Sequence, residues 1–125
     1  MIRIEVENRS GVRVDADGAR ALAASVLEAE GVLEGDLGLA FVRPDESRAL
    51  KSEHLGIAEP TDVLSFPIDG RDDLPSGVPR QLGDVVLCPQ VVGDDWRGPL
   101  VHGLLHLLGY DHGEAMERRE AELAA

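Results

Sequence analysis

"HGLLHLLGYDH", residues 102–112, gathers three of the chain's four histidines on an apolar background. On a helix, residues four apart stack on one face, so the rings of His102 and His106 converge. Gly109 suits the left-handed conformation that ends a helix and turns the chain back, bringing His112 toward the first two. Three imidazoles meeting at one point suit Zn²⁺ or a similar divalent ion. Gly103, between the pair, is expected to keep the surrounding surface low, while Leu104, Leu105, Leu107 and Leu108 anchor the other faces in the core. Three protein ligands leave one coordination position for water or substrate, the pattern of a catalytic zinc; a fourth, such as His54 or an acidic residue, would make it structural.

Metzincin peptidases share this H-x3-H-x5-H spacing, with a glutamate after the first histidine as general base. Here that position is Gly103. A peptidase mechanism therefore lacks its base, and a zinc peptidase is the weakest of the readings.

Outward from the motif, the rest of the chain alternates strands and helices. "MIRIEVENRS" alternates Ile2, Ile4 and Val6 with polar neighbours, predicting a half-buried strand. Ala19, Leu22, Ala23, Val26 and Leu27 recur at helical spacing before Gly31. "DLGLAFVR" reads as a strand, "PDESRALKSEHLG" as a short helix opened by Pro44 or Asp45 and closed by Gly56. "DVLSFPI" and "GDVVLC" read as two more strands, the first placed at an edge or strand end by Pro67, with a Gly-, Pro- and Asp-rich loop between them. "GDDWRG" reads as a connector, Pro99 as the first helical position of "PLVHGLLHLL", and "GEAMERREAELAA" as a final amphipathic helix. The expected fold is α+β: a small mixed β-sheet of about four strands with packed helices, a single domain over residues 1–125, and the metal site on a C-terminal helix and the turn after it.

Composition narrows the class. Hydrophobic residues make up 43% and charged residues 29%, as in an ordinary globular protein. No apolar run approaches the ~20 residues that span a membrane, and "MIRIEVENRS" has no signal-peptide core, so a cytoplasmic protein is expected. Cys88 is the single cysteine, which suits a reducing compartment and reads as a core residue. The net charge of −12 argues against broad electrostatic attraction to nucleic acid while leaving room for a local basic groove.

"HGLLHLLGYDH", with "PTDVLSFP" (residues 60–67) and "LGDVVLC" (residues 82–88), resembles the signature of the YbeY family of endoribonucleases and rRNA maturation factors. The likeness runs from about Leu50 to the C-terminus. It implies a single-domain α+β protein binding one zinc ion through His102, His106 and His112. It further implies processing of single-stranded RNA, especially the 3′ end of small-subunit rRNA, a part in ribosome quality control, and the small ribosomal subunit as partner; no DNA or membrane partner is expected.

Two departures from the family stand out. His54, Leu55 and Gly56 occupy the place of the family's Tyr-Arg-Gly, so its functional arginine is Leu55 here. A guanidinium beside a metal clamps a phosphate and stabilises developing charge. Arg48, Arg80 and Arg97 are the candidate substitutes, the first two taken as substrate-binding residues. In addition, only "PQVVGDDWRGPL" stands where the family has a longer helical segment, which opens one wall of the cleft.

Asp62, Asp84 and Asp111 are the candidate catalytic carboxylates, to orient or deprotonate a water. Each has a local alternative: Thr61 and Asp62 organise the turn after Pro60, Asp84 caps a turn, and Asp111 holds the turn before His112 or orients an imidazole. Tyr110 reads as packing, and Arg118, Arg119, Glu117, Glu120 and Glu122 as a solvated face. A metal-dependent endoribonuclease is the leading function. The rival is a non-catalytic ribosome-maturation factor with a structural zinc, Leu55 marking the lost activity.

Overall fold

The alternation of Ile2, Ile4 and Val6 with charged neighbours becomes strand β1 (Ile2–Asn8), half-buried at every second residue. The computed structural model describes residues 1–55, 63–111 and 113–124, leaving aside the side chains of residues 54 and 55. Helix α1 (Ala16–Ala29) is capped by Asp15, whose side chain accepts from the Gly18 amide, and it buries Ala19, Ala23, Val26 and Leu27 at helical spacing. Strand β2 (Gly35–Phe41), helix α2 (Pro44–Leu55), strand β3 (Val63–Pro67) and strand β4 (Gln81–Leu87) follow. A single turn, α3 (Pro89–Val92), precedes α4 (Arg97–Leu107) and α5 (Glu114–Ala124).

Two local expectations are corrected. The expected connector, residues 93–98, gives its last two residues to helix α4, and a turn not expected from the sequence, α3, stands ahead of it, opened by Pro89. Helix α4 begins at Arg97, ahead of Pro99. Proline is tolerated there because an amide in the first helical turn has no intrahelical acceptor to lose.

The strands form one sheet in the order β1-β2-β4-β3. β1 pairs parallel with β2 and β2 parallel with β4, whereas β3 pairs antiparallel with β4. The sheet is therefore mixed and the protein is α+β. Pro67 ends the edge strand β3, where a missing amide costs no ladder bond.

The register fixes which side chains share a face. Leu37, Leu39 and Phe41 pair alongside Gly83, Val85 and Leu87, and this face carries the buried core. Helix α4 lies across β3 and β4 on that face, flanked by α1 and α5. Leu100, Val101, Leu104, Leu105 and Leu107 of α4 are all buried in the same cluster. A helix this apolar all round belongs in the centre of a fold. Among the described residues, no helix is long and apolar enough to cross a membrane.

Candidate metal centre

Helix α4 presents His102 and His106 on its half-buried side, with ring centroids 4.7 Å apart and ring planes near perpendicular at 83°. Each ring is oriented by a bond at Nδ1. His102 Nδ1 lies 3.0 Å from Glu120 Oε2, and His106 Nδ1 lies 3.0 Å from the Tyr110 carbonyl oxygen. A carbonyl has no hydrogen to give, and neither has an ionised carboxylate. Both Nδ1 atoms therefore donate, which makes Nε2 the basic nitrogen of each ring. That is how metal-ligating imidazoles are commonly held, their other nitrogen bonded to a carboxylate or a backbone carbonyl.

The turn that supplies the Tyr110 carbonyl is built by Gly109. Its φ of +97° is strained for any side chain. The Gly109 amide donates to His106 O at 3.1 Å and the Tyr110 amide to Leu105 O at 3.0 Å. These are the paired bonds of a Schellman stop, and they reverse the chain as the motif's glycine predicts.

Gly103 does something other than expected. It is buried, and a Cβ there would stand 2.8 Å from Val85 Cγ1 and 2.9 Å from Val63 Cγ2. The glycine lets α4 sink onto β3 and β4 and has no part in lowering the histidine face. Ser65 Oγ donates to the Gly103 carbonyl at 2.9 Å and ties the edge strand to the helix. A glutamate at this position has no space, so the peptidase base is excluded sterically as well as by sequence.

A cavity of about 810 Å³ opens beside the histidines. Val63, Ser65 and Pro67 of β3 line it, with Gly98 and Pro99 from the first turn of α4, and Asp95, Asp111 and Glu120 add carboxylates. Among the described residues, no three His, Cys, Asp or Glu side chains converge as a metal cluster. The expected third ligand, His112, lies outside the described residues, as do Thr61, Asp62 and the Leu55 side chain.

The other candidates separate. Asp111 lines the histidine cavity. Asp84 does not: it pairs with Gly38 and Phe66 on the opposite face of the sheet, where it lines a different cavity. The strand alternation that buries Val85 under α4 turns Asp84 away. Arg80 is also spent elsewhere, donating to the carbonyls of Gly70 at 2.7 Å and Asp72 at 2.8 Å to pin the β3–β4 loop. Arg48 is an exposed residue of α2 and is absent from the cavity lining. Arg97, its guanidinium 5.1 Å over the Trp96 ring, directly precedes Gly98 and Pro99 of the cavity.

Sequence reasoning missed Glu120 and the carboxylate behind it, Glu30. The Glu30 side chain is only 4% exposed and meets two arginines, Arg71 at 2.6 Å and Arg119 at 2.7 Å. Burial alone would raise its pKa, but hydrogen bonds from Arg119, Tyr110 and Arg71 outweigh burial and hold it below the ordinary glutamate value. In return, the bond to Glu30, burial and the carboxylate's charge raise the Tyr110 hydroxyl above its own ordinary value. Arg119 and Glu120 are thus engaged inward, a correction to the solvated face expected of α5. One signal was available: Met116 is buried, and Glu120 lies one turn further along the same side of the helix.

A sequence profile described as Endoribonuclease YbeY matches residues 4–124 of the chain. The chain belongs to the YbeY family. An Endoribonuclease YbeY of Beutenbergia cavernae is 43% identical, with 93% of this chain and 87% of the relative aligned. One from Halorhodospira halophila is 42% identical over 86% of this chain and 78% of its own length. The solution structure of TM1509 from Thermotoga maritima superposes with a TM-score of 0.57 and 24% identity, covering 99% of this chain and 87% of that one. That likeness speaks for the fold. The YbeY match reaches back to residue 4, well ahead of Leu50, where the likeness in motifs begins.

Proposed function

We propose that this YbeY protein is a zinc-dependent endoribonuclease that cuts single-stranded RNA, with His102, His106 and His112 holding one Zn²⁺. The observation that carries the reading is the pair of oriented imidazoles, each with Nδ1 donating to a fixed acceptor, beside an open cavity. The two described donors fit zinc: imidazoles whose Nδ1 sides are bonded, leaving Nε2 to ligate. When bound, the ion would supply Lewis-acid polarisation of a phosphodiester and a more acidic water.

The chain's own residues do the rest. Asp111 stands in the cavity as the carboxylate to take a proton from the attacking water, and Asp95, which lines the same cavity just ahead of α4, is a second acceptor. Asp62 keeps the role the sequence suggested. Arg97 does not line the cavity, but it directly precedes the cavity's Gly98, and swinging its guanidinium off the Trp96 ring would offer a cation to a phosphate. The chain has four aromatic residues, too few for an extended stacking platform, so recognition runs through backbone and shape with little base readout. Its RNA is rRNA at the small-subunit 3′ end, handled on the small ribosomal subunit in the cytoplasm in the course of maturation and quality control.

The test is cleavage of single-stranded and duplex RNA by purified zinc-loaded protein, beside chelated protein and His106→Ala. Cleavage of the single strand that chelation and the substitution abolish supports the reading. Equal cleavage by all three samples identifies a contaminant and overturns it.

One observation favours a second reading, a maturation factor with a structural zinc: Leu55 stands where the family resemblance calls for an arginine. Under it, the wild type associates with ribosomes without turnover, chelation unfolds the protein, and Leu55→Arg produces nuclease activity. A wild type that cleaves RNA at a rate Leu55→Arg does not change removes this reading.

A further inference from the structure

We infer that α5 is a positioning element of the histidine site, with Glu120 orienting His102 and Arg119 holding the helix that carries it. The inference rests on the reading that the histidines hold a metal.

Glu120 and His102 side chains are each 29% exposed, so their 3.0 Å bond is partly shielded from water. The carboxylate fixes the proton on His102 Nδ1 and places a negative charge behind the ring, which strengthens Nε2 as a donor. The bond needs a helix that cannot roll, and the neighbouring residue provides the lock. Arg119 Nε donates to Glu30 Oε2 at 2.7 Å, Nη1 to Glu122 at 3.0 Å, and Nη2 to the Ala29 carbonyl at 3.1 Å. Met116, buried one turn earlier, anchors the same face.

Glu30 closes the arrangement. It accepts from Arg119 next to Glu120, and also from the Tyr110 hydroxyl, while the Tyr110 carbonyl accepts from His106. One buried carboxylate at the end of α1 therefore reaches both histidines: His102 by way of α5, and His106 by way of the turn. An incidental surface ion pair would have neither the locked neighbour nor the shared anchor.

The experiment compares wild type, Glu120→Gln, Glu120→Ala and, as a control on the exposed side of α5, Glu117→Ala. Ring-nitrogen NMR of the metal-free proteins at one fixed alkaline pH reads the His102 tautomer. Chelator competition reads the zinc dissociation constant, and thermal melts verify folding. Wild type is expected to hold His102 as the Nδ1–H form. Glu120→Ala should shift that ring toward Nε2–H and weaken zinc about tenfold or more. Isosteric Glu120→Gln, which keeps an acceptor without the charge, should retain the tautomer and weaken zinc less; Glu117→Ala should match wild type. A Glu120→Ala protein with unchanged tautomer and unchanged zinc affinity overturns the inference. A wild type that binds no zinc overturns the metal reading instead, and the tautomer measurement still decides whether Glu120 orients the ring.

Discussion

A Cβ at position 103 would press on Val85 Cγ1 and Val63 Cγ2 inside 3 Å and on Ser65 Oγ at 3.1 Å. Alanine ordinarily stabilises a helix by ~1 kcal/mol over glycine. Here overpacking of 1–3 kcal/mol opposes that gain. Gly103→Ala is therefore expected to destabilise the protein by up to about 2 kcal/mol, and because α4 must rise from the sheet it should also loosen zinc binding. Urea denaturation reads the first effect; a Gly103→Ala protein more stable than wild type would show that the helix–sheet contact is not tight. The same residue shows the limits of motif reading. The motif placed a glycine between two histidines, but only the packed sheet reveals which side of the helix needs it small.

At the scale of elements, Glu30 ties α1 to the β3–β4 loop through Arg71, to α5 through Arg119 and to the histidine turn through Tyr110. Breaking a buried ion pair by removing one partner costs about 3–5 kcal/mol, and the partly exposed arginines recover some hydration. Glu30→Gln should cost about 2–3 kcal/mol near neutral pH. The sign with pH follows from the lowered pKa. The stabilisation from the ionised carboxylate is complete above the unfolded-state value near 4.5 and is lost as pH falls through the lower folded value. The stability gap between wild type and Glu30→Gln should thus be constant from pH 7 to about 5.5 and close in stronger acid. Melts across that range check it, and a gap that widens on acidification would contradict the clamp. Nothing in "VLEAEGV" marks this glutamate apart from Glu28, because its partners lie 41 and 89 residues away in sequence.

The whole molecule carries a net charge of −12, and RNA is a polyanion. For a protein that neutralises Z phosphates of a single strand, log affinity falls with log salt by about 0.7Z. With Arg97 the cation next to the cavity, Z is small, and the slope for RNA binding is expected to be no steeper than about −2. Titrations of labelled single-stranded RNA between low and physiological salt measure it; a slope of −5 would demand a basic surface that the described residues do not gather at the histidines.

Local chemistry made the outline legible. Period-2 and period-3.6 patterns, Pro67, Gly109 and the histidine spacing depend on neighbours a few residues apart, and they prescribed the strands, the helices, the α+β class, the Schellman stop and the shared face of His102 and His106. What sequence could not contain was the side of the sheet on which each residue falls once strands pair, and the partners that burial brings together. Asp84 and Val85 are adjacent in the chain, yet the pleat sends one away from the histidines and the other beneath Gly103. Arg80 is basic and near a cleft motif, yet loop carbonyls take its guanidinium. Glu120 lies in a run of charges, yet the docking of α5 against α4 sets it on His102. Sequence determines the chemistry each element can offer, because that is set by bonds and near neighbours; only tertiary packing decides which groups meet, because a contact across 18 or 89 residues exists solely when the core that joins them has formed.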